Sequence, residues 1–303
     1  MSVDMTVDLA GLQLRNPVMP ASGCFGYGRE YGEYYSLDEL GAVVVKATTR
    51  YPRLGNPTPR VTEVAGGMLN AIGLANPGLD EVLAEELPWL SRQNVPIFVN
   101  VAGDTVDDYC QVVDRICRSG LAQAIELNVS CPNVKLGGLA FGVDATILRE
   151  LVQEVRKVCS LPLYVKLSPN VTRVQDLAIA AASGGADGLS LINTLIGMQI
   201  DLTKRKPILA NKTGGLSGRS IKPVAVRMVY EVAQEVDLPI IGMGGVYSGR
   251  DAAEFIMAGA WAVEVGTANF TDPYACPRII GELRSFMEEE GIKSLEEIRG
   301  CAL

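Results

Sequence analysis

Short apolar runs recur along the chain, each ending on a polar or glycine-rich position and most followed by a segment of helical periodicity. The runs cover residues 17–21, 41–46, 96–101, 124–128, 161–167, 188–193, 238–243 and 260–265. Helices are predicted from Ser22-Gly23 to about Leu40, then over 79–90, 105–119, 144–158, 174–183, 222–236 and 250–258, with further helices closing the chain. Residues 7–14 alternate around Ala10-Gly11, the pattern of a β-hairpin capping the bottom of a barrel. Two stretches, 48–76 and 194–220, are read as long and irregular, which in a compact domain points to function.

The apolar runs are almost continuous Val, Ile, Leu and Ala, as in parallel strands buried on both faces. Eight strand–helix units predict an α/β fold, a (β/α)8 TIM barrel over residues 1–303, with the N-terminal β-hairpin and long insertions at the C-terminal face. A doubly wound sheet competes, but no G-x-G-x-x-G opens the first strand–helix turn.

Composition narrows the chemistry. The 303 residues carry a formal charge of −8, which argues against a nucleic-acid or anionic-membrane surface. No apolar run approaches the ~20 residues of a membrane helix and no basic-then-apolar leader opens the sequence, so a cytoplasmic location is expected. Seven cysteines without a C-x-x-C fit neither a disulfide framework nor a metal set. With no histidine, proton transfer falls to Cys, Lys, Tyr or carboxylates.

In a barrel the strand ends meet at one mouth, and here they are Ser22, Lys46, Asn100, Asn128, Lys166, Asn193, Gly244-Gly245 and Gly266-Thr267. Asn and Gly at such boundaries are also ordinary turn residues. Lysines closing apolar strands are harder to explain structurally, because Lys is rarely buried without a task. The glycines after the last two strands suit a phosphate, on a cofactor or on a sugar phosphate. The strand at 124–128 opens into Ser130-Cys131-Pro132-Asn133 and a glycine pair, a setting for a reactive thiol.

With these residues assembled, the chain resembles the dihydroorotate dehydrogenases over essentially its whole length. The resemblance rests on ASG at 21–23, VVKATT at 44–49, NAIGLANPG at 70–78, ELNVSCPN at 126–133, YVKLSPN at 164–170, GGLSG at 214–218, GMGGV at 242–246 and VGTA at 265–268, all in family order. The loop cysteine is similar to class 1 enzymes, and NAIGLANPG to the 1B subtype, which passes electrons to NAD through a partner subunit. The fumarate-linked 1A subtype and flavin dehydrogenases of other dihydropyrimidines are the alternatives. A sugar-phosphate barrel and a silent flavin-carrying scaffold also stay open.

The resemblance implies FMN and dihydroorotate, with Cys131 as the general base. It implies substrate contacts from Lys46, Asn70, Ala71, Ile72, Gly73, Leu74, Asn128, Asn133, Asn193 and Thr194. It implies flavin contacts from Ser22, Lys46, Ala47, Asn100, Asn128, Lys166, Ile192 and Gly218, and a phosphate cradle from Gly244, Gly245, Gly266 and Thr267. It further implies a homodimer joined to an iron–sulfur flavoprotein subunit, a heterotetramer whose FAD and iron–sulfur cluster lie on that partner.

Overall fold

The computed structural model describes residues 3–129 and 141–303. Eight parallel strands form the centre: β1 (Val18–Pro20), β2 (Val43–Thr48), β3 (Ile97–Val101), β4 (Ala124–Asn128), β5 (Leu163–Lys166), β6 (Gly188–Leu191), β7 (Ile240–Met243) and β8 (Ala262–Val265). They pair in the order β1-β8-β7-β6-β5-β4-β3-β2, so each strand lies beside its neighbour in sequence and β8 returns to β1. Their side chains are buried on both faces, as continuous apolar runs require.

The remaining seam, between β1 and β2, is closed without a regular ladder. The Gly41 N–H donates to the Val18 carbonyl at 2.9 Å. Buried Asn16 ties the two sides together, its amide nitrogen donating to the Glu39 carbonyl at 2.8 Å and its oxygen accepting from the Val18 N–H at 3.0 Å. A Cβ at Gly41 would lie 2.2 Å from the Asn16 carbonyl oxygen, so the close approach admits only glycine.

Helices α1 (Val106–Ser119), α2 (Ala145–Val158), α3 (Val174–Gly184), α4 (Lys222–Ala233), α5 (Gly249–Met257), α6 (Ala268–Thr271) and α7 (Ala275–Glu289) lie at or near the predicted places. Local signals set several of their starts. Thr105 and Asp108 form a reciprocal capping box at α1, the Asp144 carboxylate accepts from two backbone N–H groups at α2, and Ser248 caps α5. The predicted 79–90 helix is three consecutive helical segments, Leu79–Glu81, Val82–Glu86 and Leu87–Leu90, the middle one with a wider π turn. The hairpin pairs Val7–Leu9 with Leu12–Leu14.

Two expectations need correcting. No continuous helix runs from Ser22 to Leu40; two 3-10 turns, Tyr31–Glu33 and Leu37–Glu39, stand there instead. Gly23, Gly26 and Gly28 have left-handed φ of 83, 58 and 90°, which break the helix at its start. The stretches read as irregular also contain a second sheet. Leu195–Met198, Thr213–Ser217, Gly67–Asn70 and Val61–Val64 pair in that order, all antiparallel, across the barrel mouth. Its strands are short, glycine-rich and partly exposed, and its central pairing joins residues far apart in sequence. Local periodicity therefore does not show it.

Among the described residues, no helix is long and apolar enough to cross a membrane. Gly41→Ala is expected to lower stability by roughly 1–3 kcal/mol, because its new methyl meets backbone that cannot repack. A urea unfolding midpoint equal to that of the unaltered protein would show that the seam opens freely.

Candidate active site

The C-terminal strand ends and the second sheet enclose a cavity of about 780 Å³. That is the size of a small-molecule site and lies where barrels place theirs. Ser22, Lys46, Ala47, Asn70, Ala71, Ile72, Gly73 and Leu74 all line it, as do Asn128, Lys166, Ile192, Asn193, Thr194, Gly218, Gly244, Gly245, Gly266 and Thr267. Cys131 and Asn133 lie outside the described residues. Asn100 is fully buried beneath the cavity and holds up its floor.

Each wall has a local cause. The pairing of β2 with β3 shifts register between Val45 and Thr48, so an extra residue is inserted at Lys46–Ala47. Such a bulge re-aims side chains, and here it sits where the strand reaches the cavity. Lys46 is half-buried, and burial lowers its amine below the ordinary lysine value. Among the described residues no carboxylate lies within ion-pair distance of it.

On the opposite side, Gly244 and Gly245 have φ of 118 and 86°, and added Cβ atoms would lie 2.9 Å from Ala225 and 2.7 Å from Lys222. Only glycine lets the backbone line the cavity there. At Gly266 the nearest atoms to an added Cβ are the Cys24 thiol at 3.6 Å and the Ala21 methyl at 3.7 Å. The Thr267 hydroxyl donates to the Ser217 hydroxyl at 2.8 Å, tying the end of β8 to the second sheet.

The polar side chains are held rather than loose. The Asn193 oxygen accepts from the Thr194 N–H at 2.7 Å. The Asn128 side-chain amide donates to the Asn100 side-chain oxygen at 3.4 Å, and its backbone carbonyl accepts from the Tyr109 hydroxyl at 2.8 Å. Asn170, quoted in the YVKLSPN motif but given no role in the sequence reading, bridges the Thr194 carbonyl at 3.0 Å and the Ile196 N–H at 2.9 Å. It thereby pins the start of the second sheet.

The floor is a buried charged layer. Lys166, only 4% exposed, places its ammonium 3.2 Å from Glu126, 3.2 Å from Glu264 and 3.2 Å from the Ser22 hydroxyl. The Asn100 amide donates to Glu126 at 2.5 Å and to Ser22 at 3.1 Å, and the Ser190 hydroxyl donates to Glu126 at 2.8 Å. Burial alone would discharge Lys166, yet the two carboxyls raise it above the ordinary lysine range. Burial likewise works against an ionised Glu126, but Lys166 and the hydrogen bonds hold its carboxyl below the usual value. Glu264 goes the other way, pushed well up by burial and by Glu126.

Glu126, Glu264 and Ser190 were missed in the sequence, although a signal existed: a glutamate inside the apolar runs AIELN and AVEV has to be buried. Cys24 also lines the cavity, with its thiol pushed up to about 11 by burial, so it stays protonated at neutral pH.

The fold and this cavity define a (β/α)8-barrel protein with a small-molecule site at the C-terminal ends of its strands. The family profile of dihydroorotate dehydrogenase matches residues 4–287, and the chain belongs to the dihydroorotate dehydrogenase family. The chain is 58% identical over 296 residues to the dihydroorotate dehydrogenase B (NAD(+)) catalytic subunit of Geobacillus sp. (strain WCH70), covering 98% of this chain and 95% of that protein. To the subunit of the same name from Listeria monocytogenes serotype 4b (strain CLIP80459) it is 59% identical, covering 97% of each. The crystal structure of the Eimeria tenella enzyme in complex with ferulenol superposes with a TM-score of 0.82 at 28% identity, covering 98% of this chain and 88% of that one.

Lys166→Met would leave the buried acid pair without its cation, at an expected cost of roughly 3–5 kcal/mol at neutral pH. The Glu126 carboxyl would then join Glu264 above the unfolded value of about 4.3, so stability should recover as the pH falls toward that value. Unfolding curves at pH 7 and pH 5 check this. A loss that grows toward pH 5 would show that Lys166 does not compensate the carboxyls.

Proposed function

We propose that the chain is the catalytic subunit of an NAD-linked dihydroorotate dehydrogenase, which binds FMN and oxidises dihydroorotate to orotate in pyrimidine biosynthesis. The observation that carries this is the convergence of Lys46, Lys166, the cavity asparagines and the glycine cradle on one chamber. The chamber suits the cofactor: backbone at Gly244 and Gly245 comes where side chains would clash, and a charged lysine lies below. Gly244, Gly245, Gly266 and Thr267 would hold the phosphate, with Ser22, Ala47, Asn128, Ile192 and Gly218 around the rest. FMN, when bound, supplies the two-electron acceptor for hydride from the substrate's C6.

The chain's own residues do the remaining work. Lys46 places a positive Nζ in the cavity and would pair with the substrate carboxylate, a charge-assisted bond with that site's natural anion. The amides of Asn70, Asn128, Asn133 and Asn193 offer donor and acceptor to a ring of alternating N–H and C=O groups. Ala71, Ile72, Gly73 and Leu74, with Thr194, line the cavity where that ring would sit. Cys131 would take the C5 proton of the substrate on Sγ. Lys166, held charged by its carboxyl partners, stabilises negative charge as it develops above the floor.

The relatives are named as catalytic subunits of an NAD(+) enzyme, which supports a second subunit that relays electrons to NAD. We place FAD and an iron–sulfur cluster on that partner, around a homodimer of this chain, in the cytoplasm.

A purified protein with a flavin spectrum that dihydroorotate bleaches is the expected result, and a colourless protein would end this reading. Dihydrouracil, which lacks the carboxylate, should bleach it far more slowly, and Lys46→Met should remove most of that preference. Cys131→Ala should retain FMN while slowing reduction in stopped flow roughly 10²–10⁴-fold, the worth of a positioned base. Unchanged kinetics would take the thiol out of the mechanism.

A further inference from the structure

The layer beneath the cavity holds two carboxyls and one ammonium, all buried to 1–4% exposure. They come from three different strands: Glu126 on β4, Lys166 on β5 and Glu264 on β8. Lys166 bonds one oxygen of Glu264 and is within 3.5 Å of both oxygens of Glu126. If both acids were ionised, the layer would carry an excess negative charge in a buried setting. Two buried carboxylates facing one cation avoid this when one of them keeps its proton.

The surroundings differ enough to say which one. Glu126 accepts from Asn100, Ser190 and Lys166, the environment of a carboxylate. Glu264 accepts from Lys166 on Oε2, while its buried Oε1 has no acceptor bond from another group. Both carboxyls lie 3.2 Å from the same ammonium, and both burial and repulsion from Glu126 favour a neutral Glu264. Among the described residues the layer's titratable neighbour is Cys24, from the segment after β1, which in turn faces Lys46 at the end of β2. Cys24 is kept neutral by its burial, so it does not alter the charge count. Ser22 connects the layer to the cavity, taking hydrogen bonds from both Lys166 and Asn100.

We propose that Glu126 and Glu264 share a single proton around Lys166, and that this pair is a positioning device: it keeps the charge beneath the cavity at zero and so sets how readily the bound flavin accepts electrons. The redox half of the proposal rests on the FMN reading; the shared proton does not. A shared proton has a consequence that two independent carboxylates lack. If Glu126 is made neutral, Glu264 can release its proton and become the counter-ion of Lys166. If Glu264 is made neutral, nothing changes in the charge, because Glu126 already serves. Only the loss of both removes the two carboxyls that flank Lys166.

The test is a double-mutant cycle, Glu126→Gln, Glu264→Gln and both together, read by the midpoint potential of the bound flavin and by infrared spectroscopy. We expect a protonated-carboxyl band in the unaltered protein at pH 7, lost in Glu264→Gln and lost in Glu126→Gln. The single variants should keep a near-normal potential, and the double variant should shift positive by more than the two singles combined. Equal and additive positive shifts from each single variant, with no band to lose, would show two ionised carboxylates and overturn the proposal. A double variant with an unshifted potential would overturn the redox half. Should the double variant not fold, the infrared comparison of the unaltered protein with Glu264→Gln decides the shared proton. That comparison needs no flavin, so a colourless protein showing the band would count against FMN binding and leave the shared proton standing.

Discussion

A lysine ammonium buried beneath the mouth of a closed parallel barrel is the constraint on which the site depends. An unpaired cation there would lose its proton or destabilise the fold, so the barrel has to supply anions from its own strands. Glu126 and Glu264 supply the carboxyls that flank it, and Asn100 and Ser190 each donate to one oxygen of Glu126 beside Lys166. The result is a layer that is both part of the core and the floor of a chemical site. Its hydrogen bonds through Ser22 carry the position of the charge up to the cavity.

Above that floor, the site is made by segments that do not belong to the barrel repeat. The antiparallel sheet formed by Val61–Val64, Gly67–Asn70, Leu195–Met198 and Thr213–Ser217 walls the cavity and brings Asn70 and Thr194 to it. An added Cβ at Gly215 would fall 2.0 Å from the Thr194 hydroxyl, so the glycine-rich strand is what lets the two insertions close together. Asn170 and the Thr267–Ser217 bond tie this sheet back to the barrel. The barrel thus contributes rigid charge from below, and the insertions contribute shape from above.

Much of this was legible in the residues. All eight barrel strands were readable because parallel strands buried on both faces are written as continuous apolar runs. The residues closing those runs identified the cavity for the same reason: in a barrel, being last in a strand means facing the mouth. The helix expected before Leu40 failed because three glycines at left-handed φ outweigh a run of otherwise helical spacing. The bulge at Lys46–Ala47 was not foreseeable, since register belongs to a pair of strands and not to either alone.

The sequence by itself determined the eight-unit barrel, the polar strand ends and the family resemblance, all of which are encoded within short windows or in their order. Tertiary structure decided the second sheet, since its central pairing joins residues 68–70 to 215–217, far apart in sequence. It also decided the fate of the two glutamates. A carboxyl's charge depends on what surrounds it in space, and Glu126 and Glu264, 138 positions apart, both reach Lys166 in the interior.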